Sequence, residues 1–294
     1  MGASLFLGCH GWNQLDWPGS YDRRASGEFE ILRTYAADYP TVEIADTFAG
    51  IPPASLVEAW RDAVPDGFQF ALKVPQQVTH EHRFVGTSKL LCRFLERVIL
   101  LENKLGPLLL SMSTALSPND DTRRALKNFV ESLPAGFKWA LECRRADWMT
   151  VELLELLRSR NVALALADDR WIRRRLMLDL AEQPTADFAY IRWVTPRFHP
   201  RKQAEKPGSS KRALSMWSPA LTELQQRVTS IFGFLSSRFY GDPFPQCAAT
   251  LQDMVAGSPG NGPDPAPLLP TTQLCIFCRN ESPHCNCSDK ANKS

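Results

Sequence analysis

The stretch KWALECRRADWMTVELLELLRSRNVALALA, running from Lys138 to Ala167, reads as strand, helix, strand. Its two ends, Lys138 to Glu142 and Ala163 to Ala167, are short apolar runs of strand length. Between them, Val151 to Arg160 carries Leu153, Leu156 and Leu157 at helical spacing, and Thr150 stands where it can cap the first turn. Two strands joined by a crossover helix are the repeating unit of a parallel sheet.

Outward from this unit the same alternation accounts for eight strands before residue 257. They are expected at Leu5 to Cys9, Thr41 to Ile44, Gln69 to Lys73, Leu108 to Met112, Lys138 to Glu142, Ala163 to Ala167, Phe188 to Arg192 and Ser230 to Leu235. Ser88 to Asn103 shows a helical face in Leu91, Phe94, Leu95 and Val98, and Asp120 to Leu133 shows one in Leu126, Phe129, Val130 and Leu133. Pro118-Asn119-Asp120 supplies a turn and an N-cap before the second of these. No glycine fingerprint follows the first strand, which argues against an open dinucleotide-binding sheet. The expected fold is therefore α/β, a TIM-type (β/α)8 barrel over residues 1–256. Eight of the fourteen residues from Gly257 to Pro270 are Gly or Pro, so 257–270 is expected to be an extended linker. Residues 271–294 form a small Cys-rich tail.

With 44% hydrophobic and 22% charged residues, the 294-residue chain can bury a sizeable core. A net charge of +2 gives no whole-molecule field, so any anion binding must come from local basic clusters. No apolar stretch approaches the roughly 20 residues needed to span a bilayer, and no membrane partner is expected. Leu5-Phe6-Leu7-Gly8-Cys9 superficially resembles a lipoprotein cleavage site, but no basic segment or long apolar run precedes it. Position 6 also lacks the Ser or Thr that myristoylation prefers. The segment reads as the first strand. Cys9, Cys92, Cys143 and Cys247 lie in apolar contexts and are expected to be reduced thiols of a cytoplasmic protein.

Short motifs recur at the strand ends: Gly8-Cys9-His10-Gly11-Trp12, Thr41-Val42-Glu43-Ile44 with Thr47-Phe48, Phe70-Ala71-Leu72-Lys73 and Lys104-Leu105-Gly106-Pro107. Glu142-Cys143-Arg144 with Asp147-Trp148, and Thr185-Ala186-Asp187-Phe188-Ala189-Tyr190-Ile191-Arg192, complete the set. In these motifs, and in their order, the chain resembles the YecE-like family, or domain of unknown function 72, across roughly residues 4 to 256. The resemblance implies a β/α barrel and carries no activity with it. Where that family's pattern has Asn-Ser-Thr-Phe, this chain has Ala45-Asp46-Thr47-Phe48. Ser111 stands for a Gln, Arg145 for a His, and Ser236-Ser237 for paired asparagines.

Chemistry in such barrels gathers at the carboxyl ends of the strands. Glu43, Lys73 and Glu142 are the candidate catalytic residues there. The two glutamates could divide acid and base roles if their surroundings separate their pKa values. Lys73 could fix an anion or, if desolvated, form a Schiff base. The plain alternative is a structural ion-pair network. Candidate substrate-binding residues are Trp12, His80, Arg144, Asp168 and Arg192, joined by Arg173, Arg174, Arg201 and Lys202 of the basic loops after the sixth and seventh strands. Those loops suit a phosphate or a nucleic-acid backbone, or are simply solvated. His10 and His80 could ligate a metal with the carboxylates, although no paired motif supports this. Trp12, Trp17, Tyr21 and Trp193 could stack on a ring or pack in the core. In the tail, Cys275, Cys278, Cys285 and Cys287 form a Cys-x-x-Cys and Cys-x-Cys set suited to one zinc ion, with redox thiols or an unstructured tail as alternatives. The expected function is an enzyme acting on a phosphorylated sugar or nucleic acid. The alternative is a non-catalytic nucleic-acid or protein-binding module with a degenerate site.

Overall fold

The computed structural model describes residues 2–12, 27–194, 209–240 and 242–256. Eight parallel strands close a barrel: β1 (Ser4–His10), β2 (Thr41–Ile44), β3 (Gln69–Lys73), β4 (Leu105–Ser111), β5 (Trp139–Glu142), β6 (Val162–Asp168), β7 (Phe188–Trp193) and β8 (Ser230–Leu235). The order around the barrel is the order in the chain, and β1 pairs with β8 from Ser4↔Ser230 to Cys9↔Leu235. This is the (β/α)8 architecture that the alternation of elements implies.

Outside lie α1 (Glu28–Asp38), α2 (Ala54–Ala63), α3 (Ser88–Val98), α4 (Asp120–Ser132), α5 (Val151–Ser159), α6 (Arg174–Ala181), α7 (Ser209–Ser215), α8 (Ser218–Arg227) and α9 (Phe244–Ala256). Asn119 caps α4, accepting from Thr122 N at 2.9 Å, and Thr150 caps α5, accepting from Leu153 N at 3.3 Å. Leu91, Phe94, Leu95 and Val98 of α3 are all buried, as their spacing requires. The helix stops short of Asn103, because a 3-10 turn over Ile99–Lys104 takes Glu102 to φ 55°. β4 starts at Leu105, three residues before the expected Leu108. A register shift against β3 between Phe70 and Leu72 absorbs Gly106, where a Cβ would lie 2.9 Å from the Phe70 carbonyl oxygen.

The barrel interior is filled unequally. Ala71, Ala140, Ala163 and Ala165 line β3, β5 and β6, while Phe6, Phe188, Tyr190, Phe232 and Phe234 enter from β1, β7 and β8. Small residues on one wall therefore make room for aromatic rings from the other, and Phe6 stacks on Phe232 at 4.7 Å. At Gly8 an added Cβ would meet the Thr41 carbonyl oxygen at 2.0 Å, so only glycine lets β1 lie so close to β2 there. Among the described residues, no helix is long and apolar enough to cross a membrane. The expected linker over 257–270 and the tail over 271–294 lie outside the described residues.

Candidate active site at the barrel mouth

Strand alternation builds the site. On β7, Phe188, Tyr190 and Arg192 face inward in turn, and the same period brings in His10 on β1, Glu43 on β2, Lys73 on β3, Ser111 on β4 and Glu142 on β5. The aromatic floor lies beneath, so these polar groups share the uppermost layer.

Arg192 joins the two carboxylates. Its Nε donates to Glu43 Oε2 at 2.9 Å and its Nη2 to Glu43 Oε1 at 2.8 Å, while Nη1 donates to Glu142 Oε1. Glu43 also accepts from the Tyr190 hydroxyl at 2.6 Å and from His10 Nδ1–H at 2.8 Å. Glu142 accepts from the Ser111 hydroxyl and from Arg144, whose Nη2 lies 3.2 Å away. Burial alone would raise both carboxyl pKa values, but the cations outweigh it. Arg192 and His10 hold Glu43 well below the usual carboxylate range. Arg192, Arg144 and Lys73 bring Glu142 down to about 2. Burial and the neighbouring Glu43 push the Tyr190 phenol well up, so it stays a donor.

Both glutamates are therefore ionised at neutral pH, and the expected division into acid and base does not fit this geometry. In place of two tunable carboxyls the mouth holds a locked arginine bridge.

Lys73 behaves differently. Among the described residues no hydrogen bond or ion pair reaches its Nζ, which sits 4.1 Å over the ring of Phe48. Thr47 fixes that ring: its hydroxyl lies 3.1 Å from the Ile44 carbonyl and 2.7 Å from the Lys73 carbonyl, tying the 46–48 turn to β2 and β3. His80, in a single π-helical turn over Gln77–Glu81, meets the same ring edge-on at 4.9 Å. Burial lowers the Lys73 pKa to about 8, with Glu142 opposing and Arg192 and Arg144 assisting. Burial, Arg144 and Lys73 also lower the pKa of His80.

The other expected residues divide sharply. Asp168 ends β6 but faces the helices, accepting from Arg174 Nε at 2.7 Å and from Trp217 Nε1 at 2.9 Å. Arg174 also donates to the Tyr240 hydroxyl at 2.9 Å, so Asp168 and Arg174 make a structural link rather than part of the mouth. Trp12 is buried edge-on against Trp60 of α2 at 6.2 Å, and Trp193 is buried against Trp217 at 5.7 Å. Both rings pack and neither is open for stacking on a ligand. Arg173 is exposed at the start of α6. Arg201, Lys202, Trp17, Tyr21 and the tail cysteines Cys275, Cys278, Cys285 and Cys287 lie outside the described residues. Among the described residues, no three His, Cys, Asp or Glu side chains converge on a common metal position. Reading the sequence passed over Tyr190, Phe48 and Ser111 as site partners. Tyr190 was within reach, because it stands two residues before Arg192 and so shares its face.

Fold and site together define a (β/α)8 barrel protein with a charged, partly desolvated mouth. The chain belongs to the family described as "Protein of unknown function DUF72", whose model matches residues 6–273. It is 23% identical to the UPF0759 protein YunF of Bacillus subtilis, with 81% of this chain and 90% of that protein covered. A DUF72 family protein from Thermotoga maritima superposes with a TM-score of 0.68 at 22% identity, covering 86% of this chain and 99% of that one. One from Enterococcus faecalis gives 0.67 at 17% identity, covering 90% and 99%. A glycoside hydrolase family 5 enzyme from Prevotella bryantii shares the barrel at a TM-score of 0.50 and 12% identity, covering 85% and 95%.

Proposed function

We propose that the barrel mouth binds the anionic group of a phosphorylated substrate, and that the protein is an enzyme acting on it. The observation that carries this reading is Lys73, a buried ammonium with no carboxylate partner among the described residues. Around it, Glu43 and Glu142 are already engaged by Arg192 and Arg144, so neither carboxylate pairs with Lys73. A charge largely withdrawn from water and without a protein partner is costly, and a ligand that reaches it through its remaining solvent contact can compensate it. A phosphate monoester supplies that compensation, with Arg144 at the rim as a second donor.

Glycoside hydrolysis, the activity named for the Prevotella enzyme, fits less well when run through a carboxyl pair. It needs one carboxyl protonated to act as an acid. Both carboxyls here are held ionised.

Differential scanning of the full-length protein with inorganic phosphate, glucose 6-phosphate and a short oligonucleotide tests the reading. Stabilisation by the phosphorylated compounds, lost in Lys73→Met and Arg144→Met, supports it. Turnover of a bound sugar phosphate, abolished in Lys73→Met, distinguishes an enzyme from a binding module. Absence of any thermal shift with all three compounds overturns the proposal.

A further inference from the structure

We infer that Lys73 is a carbonyl-capturing amine, forming an imine with the aldehyde or keto group of a phosphorylated substrate. This rests on the anion-binding reading of the mouth.

The chain contains its own control. Lys104 is as buried as Lys73, each at 8% exposure. Lys104 spends its ammonium on the fold: Nζ donates to the Arg61 carbonyl at 2.9 Å and the Val64 carbonyl at 2.7 Å, with Asp66 at 3.9 Å. Lys73 has no such acceptors among the described residues and lies against an aromatic ring. Both nearby carboxylates are already turned toward arginines, Glu43 to Arg192 and Glu142 to Arg192 and Arg144. A lysine that only balanced charge would take one of those oxygens. Placed by β3 in the mouth, its Nζ instead keeps all its bonding capacity for a guest.

The electrostatics agree with the geometry. With burial bringing the pKa to about 8, about one lysine in ten is neutral at pH 7, against about one in three thousand at the ordinary value. The neutral amine has the lone pair that nucleophilic attack needs. That pair forms the C–N bond while the carbonyl π pair moves to oxygen. One N–H proton then passes to that oxygen to give the carbinolamine, whose hydroxyl takes one proton from solvent and leaves as water, so that a protonated imine remains on Lys73. No oxidant or reductant is involved. Arg144 at the rim holds the phosphate end, and the buried floor limits the water that would reverse the condensation.

The test is reductive trapping. Full-length protein is mixed with glyceraldehyde 3-phosphate or dihydroxyacetone phosphate, reduced with sodium borohydride, and mapped by peptide mass spectrometry. The expected result is one adduct on Lys73, weakened by competing inorganic phosphate and by use of unphosphorylated glycolaldehyde. It should be lost in Lys73→Arg, which keeps the charge and whose folding is checked by its melting temperature. Trapping should also rise with pH about a midpoint near 8. Adducts scattered over surface lysines and unchanged in Lys73→Arg overturn the inference. Stabilisation by phosphate with no adduct on Lys73 overturns it while sparing the anion-binding reading; failure of both removes both.

Discussion

Arg192 grips Glu43 with two nearly equal hydrogen bonds, Nε to Oε2 at 2.9 Å and Nη2 to Oε1 at 2.8 Å, and still has Nη1 left for Glu142. Side-by-side engagement of this kind uses the planar fork of a guanidinium, which an ammonium cannot reproduce. One residue thus neutralises carboxylates from two strands, β2 and β5, across the barrel.

Removal of the bridge should be expensive. Arg192→Met leaves two buried carboxylates without their main counterion, and we expect a loss of about 3–5 kcal/mol in urea denaturation at pH 7. Arg192→Lys should recover only part of this, because one ammonium cannot hold both oxygens of Glu43 and reach Glu142. A loss under about 1 kcal/mol in Arg192→Met would mean that the carboxylates find other partners.

Acid should dismantle the same cluster. The folded pKa of Glu142, about 2, lies below its ordinary 4.5, so its contribution is complete above pH 4.5 and disappears as the pH falls toward 2. Glu43 is shifted in the same direction. Glu142 alone then accounts for about 3 kcal/mol of lost stability across that window. Denaturation curves at pH 5 and pH 3 should show this slope, and it should flatten in Glu142→Gln.

Lys73 carries the opposite sign. Its folded pKa of about 8 is below the ordinary 10.5, so below pH 8 the folded state bears the full cost of a buried ammonium. That cost fades as the pH rises from 8 to 10.5, where the unfolded chain binds more protons than the folded one. Lys73→Met should therefore be more stable than the parent at pH 7, by roughly 1–3 kcal/mol, with the gap closing by pH 10.5. An equal or lower stability at pH 7 would show that the lysine is kept for the fold.

Asp168 should separate structure from site. Asp168→Asn removes the ion pair with Arg174 and is expected to cost about 1–3 kcal/mol. The thermal shift produced by inorganic phosphate should be unchanged, because Asp168 faces Arg174 and Trp217. If that shift vanished, Asp168 would belong to the mouth after all.

Much of this molecule was legible in its sequence. The periods of two and three to four fixed the elements: β2, β3 and β8 begin and end where their apolar runs do, and Asn119 and Thr150 cap the helices they precede. Glu43, Lys73, Glu142 and Arg192 were also within reach, because each lies at or one residue before the carboxyl end of a strand in a fold whose strands all point the same way. The early start of β4 was not, since Gly106 and Pro107 read as breakers until a bulge against β3 gives them a place.

Partnership belongs to the tertiary structure alone. Asp168 and Glu142 both end strands in acidic side chains, yet Glu142 enters the mouth and Asp168 turns to the helices. Which face a last residue takes depends on strand register around the closed barrel, and a shift of one position reverses it. Lys73 and Lys104 are likewise the same residue type at the same exposure, and only their surroundings differ. Carbonyl oxygens of Arg61 and Val64, at the C-terminal end of α2, reach Lys104, whereas Arg192, arriving from more than a hundred residues away, takes the carboxylate that Lys73 would otherwise share. Sequence spacing placed the charged groups along the chain; the closed barrel decided which of them neutralise one another and which lysine makes no hydrogen bond or ion pair among the described residues.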